Sequence, residues 1–315
     1  MKSITIGKYR GLQQIASPRG TFTALALDHR QNLRKANPAF EDTAALSDFK
    51  LDVVASLASQ ATAVLLDPEV SAAQAVASQV LPGSVGLVVA LESTGYSGEA
   101  TARRAQIIPG WSVEKAKRMG ASAIKLLVYY HPDSPAARET EDFVAAVGEE
   151  CLKHDLTLML EPLSYSLKEN IKLNSEEKRY VVVETARRLT SLPIDILKAE
   201  FPLDVHEHDR SDWEAACKEI TVASQTPWIL LSAAVDYETF IHQVVAACNA
   251  GASDIAVGRA VWQEAVPLGK TERNAFLATT ARERLSRLTG LCTALATPFT
   301  RYYQTQAPFD WYKSY

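Results

Sequence analysis

The sequence lacks any apolar run long enough to cross a bilayer, and its opening residues Met1-Lys2-Ser3-Ile4-Thr5 carry no apolar stretch of the kind that drives secretion. Its four cysteines, Cys151, Cys217, Cys248 and Cys292, are widely separated and contain no CxxC pair, which argues against a disulfide framework or a zinc site. No charge of one sign predominates. With 33 Lys and Arg against 37 Asp and Glu, the net charge of -4 recommends neither nucleic acid nor an anionic membrane as partner. No GxGxxG or Walker loop is found. His206-Glu207-His208 has no third ligand at a recognised spacing, so it reads as a solvated loop and no metal is expected. A cytoplasmic protein with no cofactor is the expectation.

What is present is alternation. Short apolar runs recur at Thr23–Leu27, Ala63–Leu66, Gly86–Leu91, Ala123–Tyr130, Leu156–Leu160, Ile194–Ala199, Trp228–Leu231 and Ile255–Val257. Continuous apolarity marks strands buried on both faces, hence parallel strands covered by helices. Helical spacing fills the gaps: Leu46, Phe49, Val53, Val54 and Leu57 lie on one face of a helix over 43–59, and 112–119 and 140–152 read similarly. Gly120 and Gly251 precede two of the strands, where a left-handed helix cap is expected. Eight such units in 315 residues with no Pro/Gly-rich linker predict one (β/α)8 barrel, followed by an aromatic tail from about residue 291.

Two strands carry a lysine. Lys198 lies in Asp195-Ile196-Leu197-Lys198-Ala199 and Lys125 in Ala123-Ile124-Lys125-Leu126-Leu127. An ammonium costs free energy in an apolar setting, so a buried lysine tends to lose its proton and become a nucleophile toward carbonyls. Two like charges in one site would depress each other further. The bland alternative for Lys198 is a structural ion pair with Glu161 or Glu200, and Lys125 can equally neutralise a carboxylate.

In a barrel the chemistry sits at the C-terminal strand ends. The polar residues there are Asp28, His29 and Arg30, then Asp67 and Glu69, Glu92, Lys125, Glu161, Lys198 with Glu200, Ser232, and Gly258-Arg259. Asp67-Pro68 reads as a plain strand exit, and Glu92 stays undecided. Ser232-Ala233-Ala234 and Gly258-Arg259-Ala260 follow strands seven and eight, where barrels commonly hold phosphate through backbone N–H groups. Arg103 or Arg104 is placed to meet a second anionic group.

These stretches resemble the class I tagatose-1,6-bisphosphate aldolases, and more broadly the group that includes the sulfofructose-phosphate aldolases. The likeness rests on Leu25–Arg30, Leu65–Glu69, Glu92–Tyr96, Ala123–Tyr130, Leu160–Pro162, Leu197–Pro202, Leu231–Val235 and Gly258–Trp262. It implies Lys198 as Schiff-base lysine, Glu161 as acid/base carboxylate, and Lys125 and Asp28 as lining of the reaction centre. Ser232, Ala233, Gly258 and Arg259 would hold phosphate, and His29 would touch substrate. It further implies a metal-independent lyase giving dihydroxyacetone phosphate and an aldehyde, and a homo-oligomer. The chain departs from the family in having His29 where glutamine is usual and Ala234 where glycine is common. A sulfosugar substrate, a sugar-phosphate isomerase and a non-catalytic sugar-phosphate sensor are the alternatives.

Overall fold

The computed structural model describes residues 1–233, 235–313 and 315. Its eight parallel barrel strands are β1 (Phe22–Ala26), β2 (Ala63–Leu66), β3 (Gly86–Ala90), β4 (Ala123–Tyr129), β5 (Thr157–Leu163), β6 (Ile196–Ala199), β7 (Trp228–Leu231) and β8 (Asp254–Val257). They pair in chain order, and β8 returns to β1 with Thr23 opposite Ile255, closing the (β/α)8 barrel. Each strand falls on an expected apolar run. The largest difference is at β5, expected to stop at Leu160 but running on through Glu161 and Pro162 to Leu163, opposite Leu127, Val128 and Tyr129 of the long β4.

The two-residue period of a strand sorts every barrel position to one side. Phe22, Ala24, Ala26, Leu65, Val88, Ala123, Met159, Ile196, Ile229 and Ala256 face inward and pack together in the lower barrel. Their neighbours Leu25, Val64, Val89, Ile124, Leu158, Leu197, Leu230 and Ile255 face outward into the layer beneath the helices. One step further up the inward face, Ala123 is followed by Lys125, Met159 by Glu161 and Ile196 by Lys198. Small and branched side chains thus fill the barrel floor, and the next layer is charged.

The helices Thr43–Leu57, Ala137–Lys153, Ser175–Leu189, Arg210–Ala223 and Tyr237–Ala250 cover the barrel, as does Arg282–Leu295. Gly120 and Gly251 take φ +94° and +112°, the left-handed caps expected ahead of β4 and β8. No helix among the described residues is long and apolar enough to cross a membrane. The four cysteines are buried free thiols.

The bottom of the barrel is closed by the two ends of the chain. Helix Ile6–Gln14 brings Leu12, and Ile15 just beyond it, into the inner cluster, and Lys2–Ser3 pairs in parallel with Tyr303–Gln304. The tail aromatics divide. Phe299 stacks on Phe22 at 5.5 Å and Tyr303 donates to the Asp195 carbonyl at 2.8 Å, whereas Phe309 and Tyr312 stand exposed. Asp195 ties these parts together, because its Oδ2 accepts from Lys8 Nζ at 2.8 Å and from the Leu158 N–H at 2.8 Å. Both side chains of the pair are nearly sealed from solvent. Removing one partner of a buried pair leaves the other charge unmatched, at a cost of about 3–5 kcal/mol. An Asp195→Ala variant should therefore unfold at markedly lower urea while keeping the cavity at the opposite face intact; an unchanged urea midpoint would contradict this role.

Candidate active site

The charged layer is built around one ammonium. Lys125 Nζ lies 2.6 Å from Asp28 Oδ2, 2.6 Å from Glu92 Oε1 and 3.1 Å from Glu161 Oε2. Glu161 turns its other oxygen, Oε1, to Lys198 Nζ at 2.8 Å. Glu92 is fixed by the Leu127 N–H, which donates to its Oε2 at 3.0 Å. Lys125 is 1% exposed and Lys198 4% exposed, so the pairing takes place with little water to screen it.

The electrostatics follow from three carboxylates meeting two ammonium groups. For Lys125, burial favours the neutral form, but Asp28, Glu161 and Glu92 outweigh it and hold its pKa well above the ordinary lysine value. Burial would raise Asp28, yet Lys125 and Lys198 prevail and keep its carboxyl far below the usual range. Glu161 is likewise lowered, burial being overcome by the same two lysines. Glu92 goes the other way: burial dominates and raises it, despite Lys125. The expectation that Lys125 acts on Lys198 as a bare like charge is thereby corrected, because its positive charge is matched on three sides.

These groups line a cavity of about 720 Å³ at the C-terminal ends of the strands, together with His29, Arg30, Tyr129, Glu200, Ser232, Ala233, Gly258 and Arg259. Gly258 N–H points to Ser232 Oγ across 3.5 Å, joining the loops after β7 and β8. A Cβ at Gly258 would lie 2.7 Å from the Ala26 carbonyl, so the loop can pass this close to β1 only with glycine. Ala233 has φ +44°, a left-handed conformation that costs a non-glycine residue about 1 kcal/mol or more and is often retained where backbone N–H groups serve a ligand. Ala234 lies outside the described residues. The Arg259 guanidinium makes no hydrogen bond or ion pair among the described residues, and burial lowers its pKa against the pull of Asp28 and Glu161.

Not every expected residue arrives. Arg103 does not line the cavity; its guanidinium stacks over Tyr96 at 4.7 Å, Tyr165 at 4.8 Å and Tyr129 at 5.5 Å, and its Nε donates to the Ala100 carbonyl. Asp67 is a structural group, as its turn-opening position suggested: it pairs with fully buried Lys50 and accepts from the N–H groups of Glu69 and Val70. Glu92, left undecided, belongs to the site. The inward parity of β3, Val88 then Ala90 then Glu92, was the signal that could have found it. Arg30 pairs with Glu69 and donates to the Glu92 carbonyl, bracing β1 against β3 from the rim.

Lys125→Met should reverse the pH response of the site. With Lys125 gone and Lys198 left to balance them, Asp28, Glu92 and Glu161 would titrate higher than in the parent, and Glu92 further above its unfolded value, so the variant should lose stability as pH rises from 5 to 8. In the parent the depressed Asp28 and Glu161 stabilise above their unfolded pKa values near 4, and that contribution is lost only as pH falls. Urea unfolding at the two pH values checks it, and a variant that gains stability toward pH 8 would contradict the charge count.

Comparisons with known proteins agree with the geometry. A family model described as DeoC/LacD family aldolase matches residues 22–264. The tagatose 1,6-diphosphate aldolase of Lactococcus lactis is 31% identical, covering 94% of this chain and 98% of its own length. Tagatose 1,6-diphosphate aldolase 1 of Enterococcus faecalis is 29% identical over 91% of this chain and 95% of its own. Among solved structures, an archaeal fructose 1,6-bisphosphate aldolase superposes with a TM-score of 0.59 at 21% identity, covering 91% of this chain and 99% of its own. The fructose-bisphosphate aldolase of Slackia heliotrinireducens does so with 0.63 at 12% identity, covering 91% and 90%. At these identities the structural likeness speaks for the barrel fold.

Proposed function

The chain belongs to the DeoC/LacD aldolase family, and we propose that it is a class I aldolase using Lys198 to cleave a phosphorylated ketose such as tagatose 1,6-bisphosphate into dihydroxyacetone phosphate and an aldehyde. The observation that carries this reading is the 2.8 Å contact between Lys198 and Glu161 in a layer of charge at the barrel mouth. To attack a carbonyl carbon, Lys198 must give up a proton, and Glu161 is placed to take it. The carbinolamine that forms loses its hydroxyl as water when Glu161 returns that proton, leaving a protonated imine.

The iminium then withdraws the electrons of the adjacent carbon–carbon bond. Glu161, again ionised, accepts the proton of the hydroxyl on the departing aldehyde carbon, and the ketose half remains as an enamine on Lys198. Lys125, held charged by its carboxylates, supports this step by keeping Glu161 ionised and fixing its orientation. Asp28 shares that ammonium and presents its carboxylate to substrate hydroxyls. Ser232, Ala233, Gly258 and Arg259 form a corner with a guanidinium unpaired among the described residues and close backbone approach, suited to the phosphate of the dihydroxyacetone half. Anchoring that phosphate sets the ketone carbon against Lys198.

Borohydride reduction in the presence of dihydroxyacetone phosphate should leave a stable adduct on Lys198, read by peptide mass spectrometry, and none in Lys198→Ala. Absence of adduct in the parent, alongside demonstrated ligand binding, would sink the Schiff-base chemistry. Glu161→Gln should lower kcat by about 10²- to 10⁴-fold. Arg259→Ala should act mainly on KM for phosphorylated substrate, and an equal loss with an unphosphorylated ketose would argue against a phosphate corner.

A further inference from the structure

His29 stands at the anion corner with an unused hydrogen-bonding atom. Its Nδ1 is sealed from solvent and has no hydrogen-bond partner among the described residues. The nearest carboxylate oxygen, Asp28 Oδ1, is 4.0 Å away, outside hydrogen-bond range. The ring stands edge-on to Trp262 with centroids 5.6 Å apart, and its Cε1 lies 3.4 Å from where a Cβ on Gly258 would be. The imidazole therefore abuts the loop that carries Arg259.

Burial keeps this ring neutral at physiological pH, lowering its pKa to about 4; Asp28 opposes that shift, while Arg259 and Lys198 add to it and Glu161 opposes them. The leading charge influences on it come from four elements, Asp28 beyond β1, Arg259 beyond β8, Lys198 on β6 and Glu161 on β5, with Lys125 on β4 and Glu92 beyond β3 paired to each other behind Asp28. Their formal charges cancel, two against two. A ligand with two negative charges beside Arg259 breaks that balance in favour of an imidazolium, and a monoanion does so only half as strongly.

Resting on the anion corner assigned above, we propose that His29 is a specificity-determining residue that takes a proton from solvent when a dianionic phosphate group seats against Arg259, and thereby selects phosphate over monoanionic or neutral groups at that corner. The free ring is neutral above pH 4, and the bound ring stays charged to higher pH. Affinity for a dianion accordingly rises as pH falls through the bound-state titration and levels off near the free value of about 4.

Sulfate is the probe of choice, because it keeps both charges throughout this window whereas a phosphate monoester itself titrates near pH 6. Calorimetric titration with sulfate at pH 6, in two buffers of different ionisation enthalpy, should show uptake of about half a proton or more by the parent and almost none by His29→Gln. Sulfate affinity in the parent should also rise about tenfold or more relative to the variant between pH 8 and pH 5, as a bound midpoint at or above 6 against a free one of about 4 requires. Glu92 and Glu200, both raised by burial, line the same cavity, and what they contribute persists in the variant and so subtracts out. As a measurement independent of the variant, NMR titration of the parent imidazole should move its midpoint from about 4 to above 6 on adding sulfate. Sulfate binding without proton uptake, equal uptake in His29→Gln, or no sulfate binding overturns the proposal. Borohydride trapping on Lys198 separates the two levels: an adduct alongside any of these results removes only the role of His29, while loss of both removes the aldolase reading as well.

Discussion

One ammonium surrounded by three carboxylates holds this site together. Lys125 draws Asp28 from the end of β1, Glu92 from the end of β3 and Glu161 from β5 onto a single nitrogen on β4. Each of these charges would be prohibitively costly alone in so buried a place. Assembled, they leave Asp28 and Glu161 ionised and Lys125 charged. Glu161 is thereby left with one oxygen committed to Lys125 and the other free to work on Lys198.

The barrel makes that assembly geometrically inexpensive. Eight strands of fixed tilt and two-residue period deliver inward-facing side chains in layers. Ala123, Met159 and Ile196 occupy the floor, and the next inward residue on each of those strands is Lys125, Glu161 or Lys198. The extension of β5 through Pro162 matters here, since it holds Glu161 within a paired strand instead of on a loop. Closure of the lower end by the chain termini, pinned through Asp195, leaves the upper face as the open end of the barrel. Stability is concentrated at one end and chemistry at the other.

The phosphate corner works on a different principle. It relies less on paired charge than on what stays unpaired among the described residues: the Arg259 guanidinium, a backbone at Gly258 too close to β1 for a Cβ, a left-handed Ala233 and an imidazole nitrogen with no hydrogen bond. Such features cost stability in the empty protein, and a ligand of complementary charge would recover it. Arg103, by contrast, packs its guanidinium over three tyrosine rings and does not line the cavity.

Much of this was legible in the chain itself. Continuous apolar runs fit strands covered on both faces, and eight of them alternating with amphipathic segments favour a closed barrel; a lysine inside such a run calls for a carboxylate partner or for chemistry. Family resemblance then attached roles to Lys198, Glu161 and Lys125. Residue type and strand parity therefore determined the fold, the layer and the candidate reacting groups, because both are local properties of the sequence. Which charges meet was decided by the tertiary structure alone. That Glu92 joins Lys125 while Asp67 goes to Lys50, that Arg103 turns to tyrosines, and that His29 keeps an unpartnered nitrogen all depend on distances of a few ångströms between segments far apart in the chain. Coulomb and hydrogen-bond energies change steeply over such distances, and linear order does not encode them.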